Sequence, residues 1–253
     1  MYPQPSTDAA EVRGLRLGLR RVSRLRLPLA WLPAWRTFAA SEALALRTSE
    51  ADVSDGEGGV GLHGNPRAGL RLALIALAGR EGEAAMEVAL ALELADLTPR
   101  PVDSLDAAAL EGIAARHRRL GALYGYPACC VEAFIDAHRE TLTFVAPRVG
   151  DNFVAIARAA ARSARFDARL DTLDGAALQA QPSPLRHLPC RFDCAASLAL
   201  GAALGGPRPA ARAVLVTSDG VVRTLAAPEV EPANAASDAA GWWGRGALRL
   251  QFQ

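Results

Sequence analysis

The sequence predicts an α+β fold in which a helical middle carries the cysteine motifs and short antiparallel strands come from the N- and C-terminal parts. Three observations favour it: leucines alternate with arginines near the start, good helix formers dominate the middle, and two apolar runs flank a turn near the end. Hydrophobic residues make up 51% of the 253 residues, which is enough apolar material for a core.

The N-terminal part is predicted to form two or three short strands over residues 12–47. Its leucines recur at every second position between arginines, as half-buried strands require, and Pro28 and Pro33 punctuate them. The alternating leucines are Leu15, Leu17, Leu19, Leu25, Leu27 and Leu29. Residues 52–66 follow as a glycine-rich loop, because they lack the spacing of a phosphate-binding motif.

The middle of the chain is predicted to be helical. Residues 69–79 are mostly apolar, and their periodicity leaves a buried strand and a short helix open. Residues 81–97 are predicted to form a helix, since they are good helix formers with acidic side chains in the first turn. Asp103 or Ser104 is expected to cap the next helix. A glycine and a proline then end that helix and begin the one that carries the first cysteines.

Two more helices, a hairpin and a last strand are predicted towards the C-terminus. Residues 151–166 have the pattern of an amphipathic helix, and a further helix is expected from Cys190 to Leu204. Residues 213–225 place two apolar runs around Ser-Asp-Gly, which is typical of a β-hairpin. Residues 247–253 alternate as a strand would. We expect strands from the two ends of the chain to share a sheet.

The length of the chain fits one large domain, and we find no internal repeat. We therefore predict a single domain over residues 1–253. Three parts can be distinguished within it: an N-terminal α/β part (1–100), a helical cysteine-bearing part (101–206) and a C-terminal β part (207–253).

Composition argues against several classes of partner and against disulfides. The net charge of +1 gives no global field for nucleic acid. The charge-free stretch from Ala195 to Pro207 is shorter than the roughly 20 apolar residues of a spanning helix, so no membrane partner is expected. Asp8 and Glu11 come too early for a secretory signal. The expected location is cytoplasmic, where thiols stay reduced and the four cysteines indicate a metal or redox site.

The first cysteine motif is GYPACC, in which Pro127 precedes Cys129 and Cys130. Pro127 is well placed as the first helical residue, where its missing N–H has no cost. Both cysteines then fall in the first turn of a helix. The positive end of the helix dipole and unpaired backbone N–H groups favour thiolates there, and thiolates are the form that binds metal.

The second motif is HLPCRFDC, with His187 and Pro189 ahead of Cys190 and Cys194. Pro189 is again expected at a helix start, which puts Cys190 in the first turn and Cys194 one turn further on the same face. Because the two motifs share this design, we predict that their helix starts face each other. The four sulfurs would then form one thiol site beside His187.

The cofactor predicted for Cys129, Cys130, Cys190 and Cys194 is an iron–sulfur cluster, with 4Fe–4S as the leading type and zinc as the alternative. Adjacent cysteines are expected to chelate one tetrahedral ion poorly, whereas the several irons of a cluster can each take a different thiolate. Two further alternatives stay open, a dithiol–disulfide redox pair and four buried core cysteines.

The site is predicted to serve a redox or cluster-based enzymatic role, with His187 as the catalytic proton carrier and a redox partner or small molecule as the counterpart. For His187, a hydrogen bond to a thiolate, direct metal ligation and a cap at the helix start stay open as alternatives. The alternative is a zinc-stabilised interaction module without catalysis. The sequence does not define the oligomeric state. Other candidates, which we expect to be surface or core residues, are His63, His117, Tyr124, Tyr126, Glu132, His138, Arg186, Arg191, Asp193, Trp242 and Trp243.

The runs GYPACCVEAF and HLPCRFDC resemble the signature of an uncharacterised prokaryotic family, Gly-Tyr-Pro-x-Cys-Cys followed downstream by His-x-Pro-Cys-x-x-x-Cys. The resemblance covers the two cysteine motifs and not the rest of the chain. It implies that the four cysteines and His187 belong to one site, and it implies no reaction.

Overall fold

A computed structural model describes the secondary structure of most of the N-terminal half and of several later segments. The described residues are 5–49, 70–97, 106–141, 159, 162–164, 167, 170, 185, 187–205, 212–216 and 222–226. The helices are α1 (Ala10–Arg16), α2 (Leu32–Ser41), α3 (Arg80–Leu97), α4 (Ala107–Leu123), α5 (Ala128–Thr141) and α6 (Ala195–Leu204), with a 3-10 turn at Leu29–Trp31. The strands are β1 (Ser23–Pro28), β2 (Leu44–Thr48), β3 (Leu70–Leu77), β4 (Arg212–Val216) and β5 (Val222–Ala226).

Helices and small antiparallel sheets together confirm the predicted α+β class. The chain divides into two compact units, and the division falls within α4. The first, here called the sheet unit, comprises Tyr2–Pro101 and Arg119–Gly125. The second, here called the thiol unit, comprises Val102–Arg118 and Tyr126–Gln253 together with Met1. The single domain over 1–253 and its three parts stay a prediction.

The sheet unit is built on three antiparallel strands in the order β1-β3-β2. Leu25 of β1 faces Ala73 of β3, and Leu46 of β2 faces Ile75. Alternate residues of a strand lie on the same face, so these side chains form one apolar surface. Helices α1 and α2 cover that surface. The buried cluster between them consists of Val12, Leu15, Leu25, Leu27, Leu32, Trp35, Ala39, Leu44, Ala73 and Ile75.

Helix α3 packs against β3 and forms ion pairs with arginines of β1 and β2. Arg24 of β1 pairs with Glu93 of α3 at 2.9 Å, and Arg47 of β2 lies 3.4 Å from Glu87. Glu93 is buried and also accepts a hydrogen bond from the Tyr124 hydroxyl at 2.7 Å. With helices on both faces, the central strand is buried from Leu72 to Ala76.

The sheet unit closes at Gly125, where the chain leaves α4. The carbonyl of Leu123 accepts hydrogen bonds from the backbone N–H groups of Arg21 and Val22, at 2.9 and 3.1 Å. Gly125 has a φ of +66°, and a Cβ built on it would lie 1.8 Å from the carbonyl oxygen of Leu19. This close approach of two backbones requires glycine, both for its left-handed conformation and for the missing Cβ.

The strand prediction for residues 12–47 is partly wrong. Residues Ala10–Arg16 form α1 because Val12 and Leu15, three apart, are both buried, while Leu17 is 55% exposed. The helical period therefore prevails over the alternation of leucines. Pro33 lies in the first turn of α2 and breaks no strand. The alternation does hold in β1, where Leu25 and Leu27 face the core.

The middle elements are largely confirmed. The apolar run at 69–79 is the strand β3, and the helix predicted at 81–97 is α3. Helix α4 begins at Ala107, and the Asp106 carboxylate accepts from the N–H of Ala109 at 2.7 Å, which identifies Asp106 as its cap. The caps predicted for this helix, Asp103 and Ser104, lie outside the described residues.

Towards the C-terminus the hairpin is confirmed and the boundary of the last helix is corrected. Strands β4 and β5 pair antiparallel, and among the described strands they form a sheet of their own, so the predicted shared sheet is wrong for them. Helix α6 begins at Ala195 rather than at Cys190. The loop at 52–66 and the strand at 247–253 lie outside the described residues, as does most of the helix predicted at 151–166. Within the described parts of the chain, no helix has the length and apolar character needed to cross a membrane.

Candidate metal centre

The start of α5 places two adjacent thiols in the first turn of a helix. The carbonyl of Pro127 accepts from the N–H groups of Cys130 at 2.9 Å and of Val131 at 3.1 Å. Pro127 therefore immediately precedes the helix, and Ala128 is the first helical residue. The helix begins one residue later than predicted. The predicted location of Cys129 and Cys130 in the first turn is confirmed.

The second pair of cysteines lies on a turn that leads into α6. Cys190 is not helical; Cys194 immediately precedes the helix, and its carbonyl accepts from the N–H of Leu198 at 3.0 Å. The N–H of Cys194 donates to the carbonyl of Arg191 at 3.2 Å, which closes the turn. The predicted helix from Cys190 is wrong because the chain turns once before the helix begins.

Phe192 anchors this turn. Its side chain is 2% exposed, its N–H donates to the Ser163 hydroxyl at 2.6 Å, and its carbonyl accepts from the N–H of Asp167 at 2.8 Å. A buried aromatic ring with both backbone groups bonded holds the turn in one conformation. These contacts thereby help to position the two cysteines at its ends.

Asp193 stabilises the same turn rather than acting on the thiols. Its carboxylate accepts two hydrogen bonds from Arg191, at 2.8 and 2.9 Å, and one from the N–H of Ala164 at 3.1 Å. The hydrogen bond from Arg191 lowers the pKa of Asp193 below its ordinary value. A carboxylate held in this way is a poor proton acceptor, which disfavours Asp193 as a general base.

The four sulfurs meet at one place, and the predicted convergence of the two motifs is confirmed. The Sγ atom of Cys129 lies 3.9 Å from that of Cys130 and 3.8 Å from that of Cys194. Cys130 and Cys194 are 3.8 Å apart, and all four Sγ atoms, including that of Cys190, lie within 4.8 Å of one another. Cys130 and Cys194 are buried, Cys190 is half-buried and Cys129 is exposed.

These sulfur separations fit the coordination sphere of one metal ion. A tetrahedral zinc–thiolate bond is about 2.3 Å long, which places the sulfurs about 3.8 Å apart. The adjacent pair Cys129 and Cys130 meets this spacing at 3.9 Å. The adjacent pair therefore has a separation that one ion could span, and the expectation that neighbouring cysteines chelate one ion poorly stays a prediction. The four cysteines can hold a metal ion.

The thiols differ in how readily each becomes a thiolate without metal. Burial raises the pKa of Cys130 well above its usual range, despite hydrogen bonds from Ser197 and the N–H of Cys190. Burial likewise raises the pKa of Cys190, to about 12. Burial also acts to raise the pKa of Cys194, but hydrogen bonds from Ser197 outweigh it and bring the value to about 7. Metal binding must therefore release protons, and its affinity is expected to rise with pH.

Ser197 connects His187 to the sulfurs, and sequence reasoning missed it. Its hydroxyl lies 3.2 Å from Cys130 Sγ and 2.9 Å from His187 Nε2, and its side chain is fully buried. His187 is buried too and packs on the ring of Tyr126 at 5.1 Å between centroids. The available signal was a lone hydroxyl in an apolar helix, three residues after Cys194.

The remaining candidates, where described, have other partners. Glu132 accepts two hydrogen bonds from Arg118, at 2.8 and 3.0 Å, and His117 packs edge-on against Phe134. The hydroxyl of Tyr124 donates a hydrogen bond to the carboxylate of Glu93. Outside the described residues lie His63, Arg186, Trp242, Trp243 and the side chain of His138.

No family model, no curated protein and no solved structure matches the chain.

Proposed function

We propose that the protein binds one metal ion through Cys129, Cys130, Cys190 and Cys194, and that the ion is zinc. The observation that carries this proposal is the mutual spacing of the four sulfurs, which lie within 4.8 Å of one another. A cubane cluster separates its cysteine ligands more widely, because each sulfur binds a different iron at a corner of the cluster. The compact arrangement supports a single ion.

Zinc is the single ion that best suits this donor set. Four soft thiolates in a tetrahedron are typical of structural zinc sites, in which the protein fills every coordination position. The ligands come from the start of α5 and from the turn before α6, both in the thiol unit. The ion would join these two elements, and the protein would act as a zinc-stabilised interaction module.

The iron–sulfur cluster is the second candidate. Metal analysis distinguishes it from a single zinc ion. Full-length protein purified without oxygen is expected to be colourless and to contain one zinc per chain. Iron together with inorganic sulfide would overturn the single-ion proposal and favour the cluster, with a redox partner or small-molecule substrate as its counterpart. Iron without sulfide would support a single ion but not zinc. Metal-free protein with reactive thiols would favour the dithiol alternative.

His187 is proposed to orient a ligand rather than to bind the metal. If the Ser197 hydroxyl donates its one proton to the Cys130 thiolate, its oxygen must accept from His187 Nε2. His187 would thus hold Ser197, and Ser197 would hold the thiolate. The catalytic proton-carrier role predicted for His187 remains part of the cluster alternative.

Replacing His187 with alanine is expected to keep one metal ion per chain but to weaken its affinity. Partners that hydrogen-bond to a ligand typically change metal affinity by about 10- to 100-fold. Competition with a chromophoric chelator measures the change. His117→Ala is the matched control, because His117 contacts Phe134 and should leave metal affinity unaltered. Loss of the metal at saturating concentration would show instead that His187 is itself a ligand.

A further inference from the structure

We propose that Cys129 is the reactive sulfur of the metal-bound centre and that it is alkylated by small, uncharged or cationic carbon electrophiles. This inference rests on the proposed metal site and adds a substrate class to it. The four ligands are chemically identical, so what distinguishes them is how accessible each sulfur is to a reagent and how nucleophilic it is.

The four sulfurs differ in their access to solvent. Cys129 is exposed, whereas Cys130 and Cys194 are buried and Cys190 is half-buried. The residue before Cys129 is Ala128, which is exposed and has only a methyl side chain. A reagent that approaches the first turn of α5 therefore meets the sulfur of Cys129 ahead of the others.

Hydrogen bonding makes the same distinction. The sulfur of Cys130 lies 3.3 Å from the N–H of Cys190 and 3.2 Å from the Ser197 hydroxyl. Such bonds withdraw charge from a thiolate and lower its nucleophilicity. Among the described residues, the sulfur of Cys129 has only other sulfurs, those of Cys130 and Cys194, within hydrogen-bonding distance. Cys129 therefore keeps more charge available for attack than Cys130 does, while its exposure distinguishes it from the half-buried Cys190.

The charge of the centre provides the driving force and restricts the substrate. Four thiolates carry twice the charge of the divalent ion that they bind, so the centre stays anionic and repels anionic reagents. A lone pair of Cys129 Sγ forms the new sulfur–carbon bond as the bond between carbon and its leaving group breaks. The leaving group departs with the electron pair, as an anion from an uncharged reagent and as a neutral molecule from a cationic one. Cys129 becomes a neutral thioether, and no oxidant or proton is needed.

The test is alkylation of full-length, metal-loaded protein by methyl iodide or iodoacetamide, followed by peptide mapping in a mass spectrometer. Cys129 is expected to react first, about tenfold faster than any other cysteine. Its rate should also be nearly independent of pH from about 6 to 8, because a metal-bound thiolate is already deprotonated, whereas a free thiol gains rate as it ionises. Cys129→Ser is the control and should lack this rapid phase.

The metal content of the same samples shows whether a negative result contradicts the metal site or only the reactivity of Cys129. A bound ion with Cys129 no faster than the other cysteines would overturn this inference and leave the metal site standing. First modification at Cys130, Cys190 or Cys194 would do the same. A Cys129 rate that rises with pH like that of a free thiol would show that metal does not activate it. Protein that binds no metal would overturn both the site and the inference.

Discussion

Cys194→Ala is expected to abolish stoichiometric metal binding and to lower the melting temperature of the thiol unit. Cys194 is buried, and its sulfur lies 3.8 Å from those of both Cys129 and Cys130, so alanine leaves a gap in the coordination sphere. A ligand that binds only the folded chain stabilises it by about 4 kcal/mol when its concentration is a thousand times the dissociation constant. The variant should lose most of that contribution, which calorimetry with and without added zinc measures.

Leu204→Ala provides the matched control for this prediction. Leu204 lies at the end of α6, the helix that Cys194 immediately precedes, and is also buried, but it offers no metal ligand. Its truncation should cost about 2–5 kcal/mol through lost packing while the folded protein keeps one metal ion. If Cys194→Ala retained its metal and melted like the wild type, Cys194 would not be a ligand.

Gly125→Ala is expected to destabilise the sheet unit by more than about 4 kcal/mol, a range reached by few single substitutions. Alanine in the left-handed conformation costs roughly 1–2 kcal/mol by itself. The larger contribution comes from the Cβ atom, which would lie 1.8 Å from the Leu19 carbonyl oxygen. The backbone must move apart there, which also strains the bonds of Arg21 and Val22 to Leu123. Urea unfolding measures the loss.

Gly18→Ala isolates the conformational part of this effect. Gly18 has nearly the same φ, +67°, but a Cβ built on it meets nothing within 4 Å. Its replacement should therefore cost only the roughly 1–2 kcal/mol of the left-handed conformation. Equal losses for the two variants would show that the approach of Gly125 to Leu19 relaxes without cost.

The sequence predicted the fold well where one periodicity dominated. Strand β1 and helix α3 follow from alternation and from helix formers, with no competing pattern. Helix α1 was missed because Leu15 fits both periods, alternating with Leu17 and lying three residues after Val12, and only packing against the sheet selects the helical one. The start of α6 was misplaced because Pro189 signals a helix start, whereas the chain first makes a turn that Phe192 holds in place.

The sequence predicted which cysteines form the candidate site, but it did not predict the distances between their sulfurs. Paired cysteines at two helix starts identified the four thiols, since chain spacing alone carries that information. The 3.9 Å between Cys129 and Cys130 depends on side-chain rotamers at the helix start, which the sequence does not specify. Ser197 was missed because its contact with His187 requires the turn and α6 to be folded together.

The sulfurs that meet in the thiol unit belong to segments far apart along the chain, and this separation links metal affinity to folding. Cys130 and Cys190 are 60 residues apart. In an unfolded chain, bringing them to one ion would require closing that loop, at an entropic cost of about 4 kcal/mol, or about a thousandfold in affinity. In the native protein that loop is already closed, because the N–H of Cys190 donates to the sulfur of Cys130 at 3.3 Å. An ion bound by these cysteines would therefore discriminate between folded and unfolded chains, and a chelator titration would report the folding equilibrium of this unit.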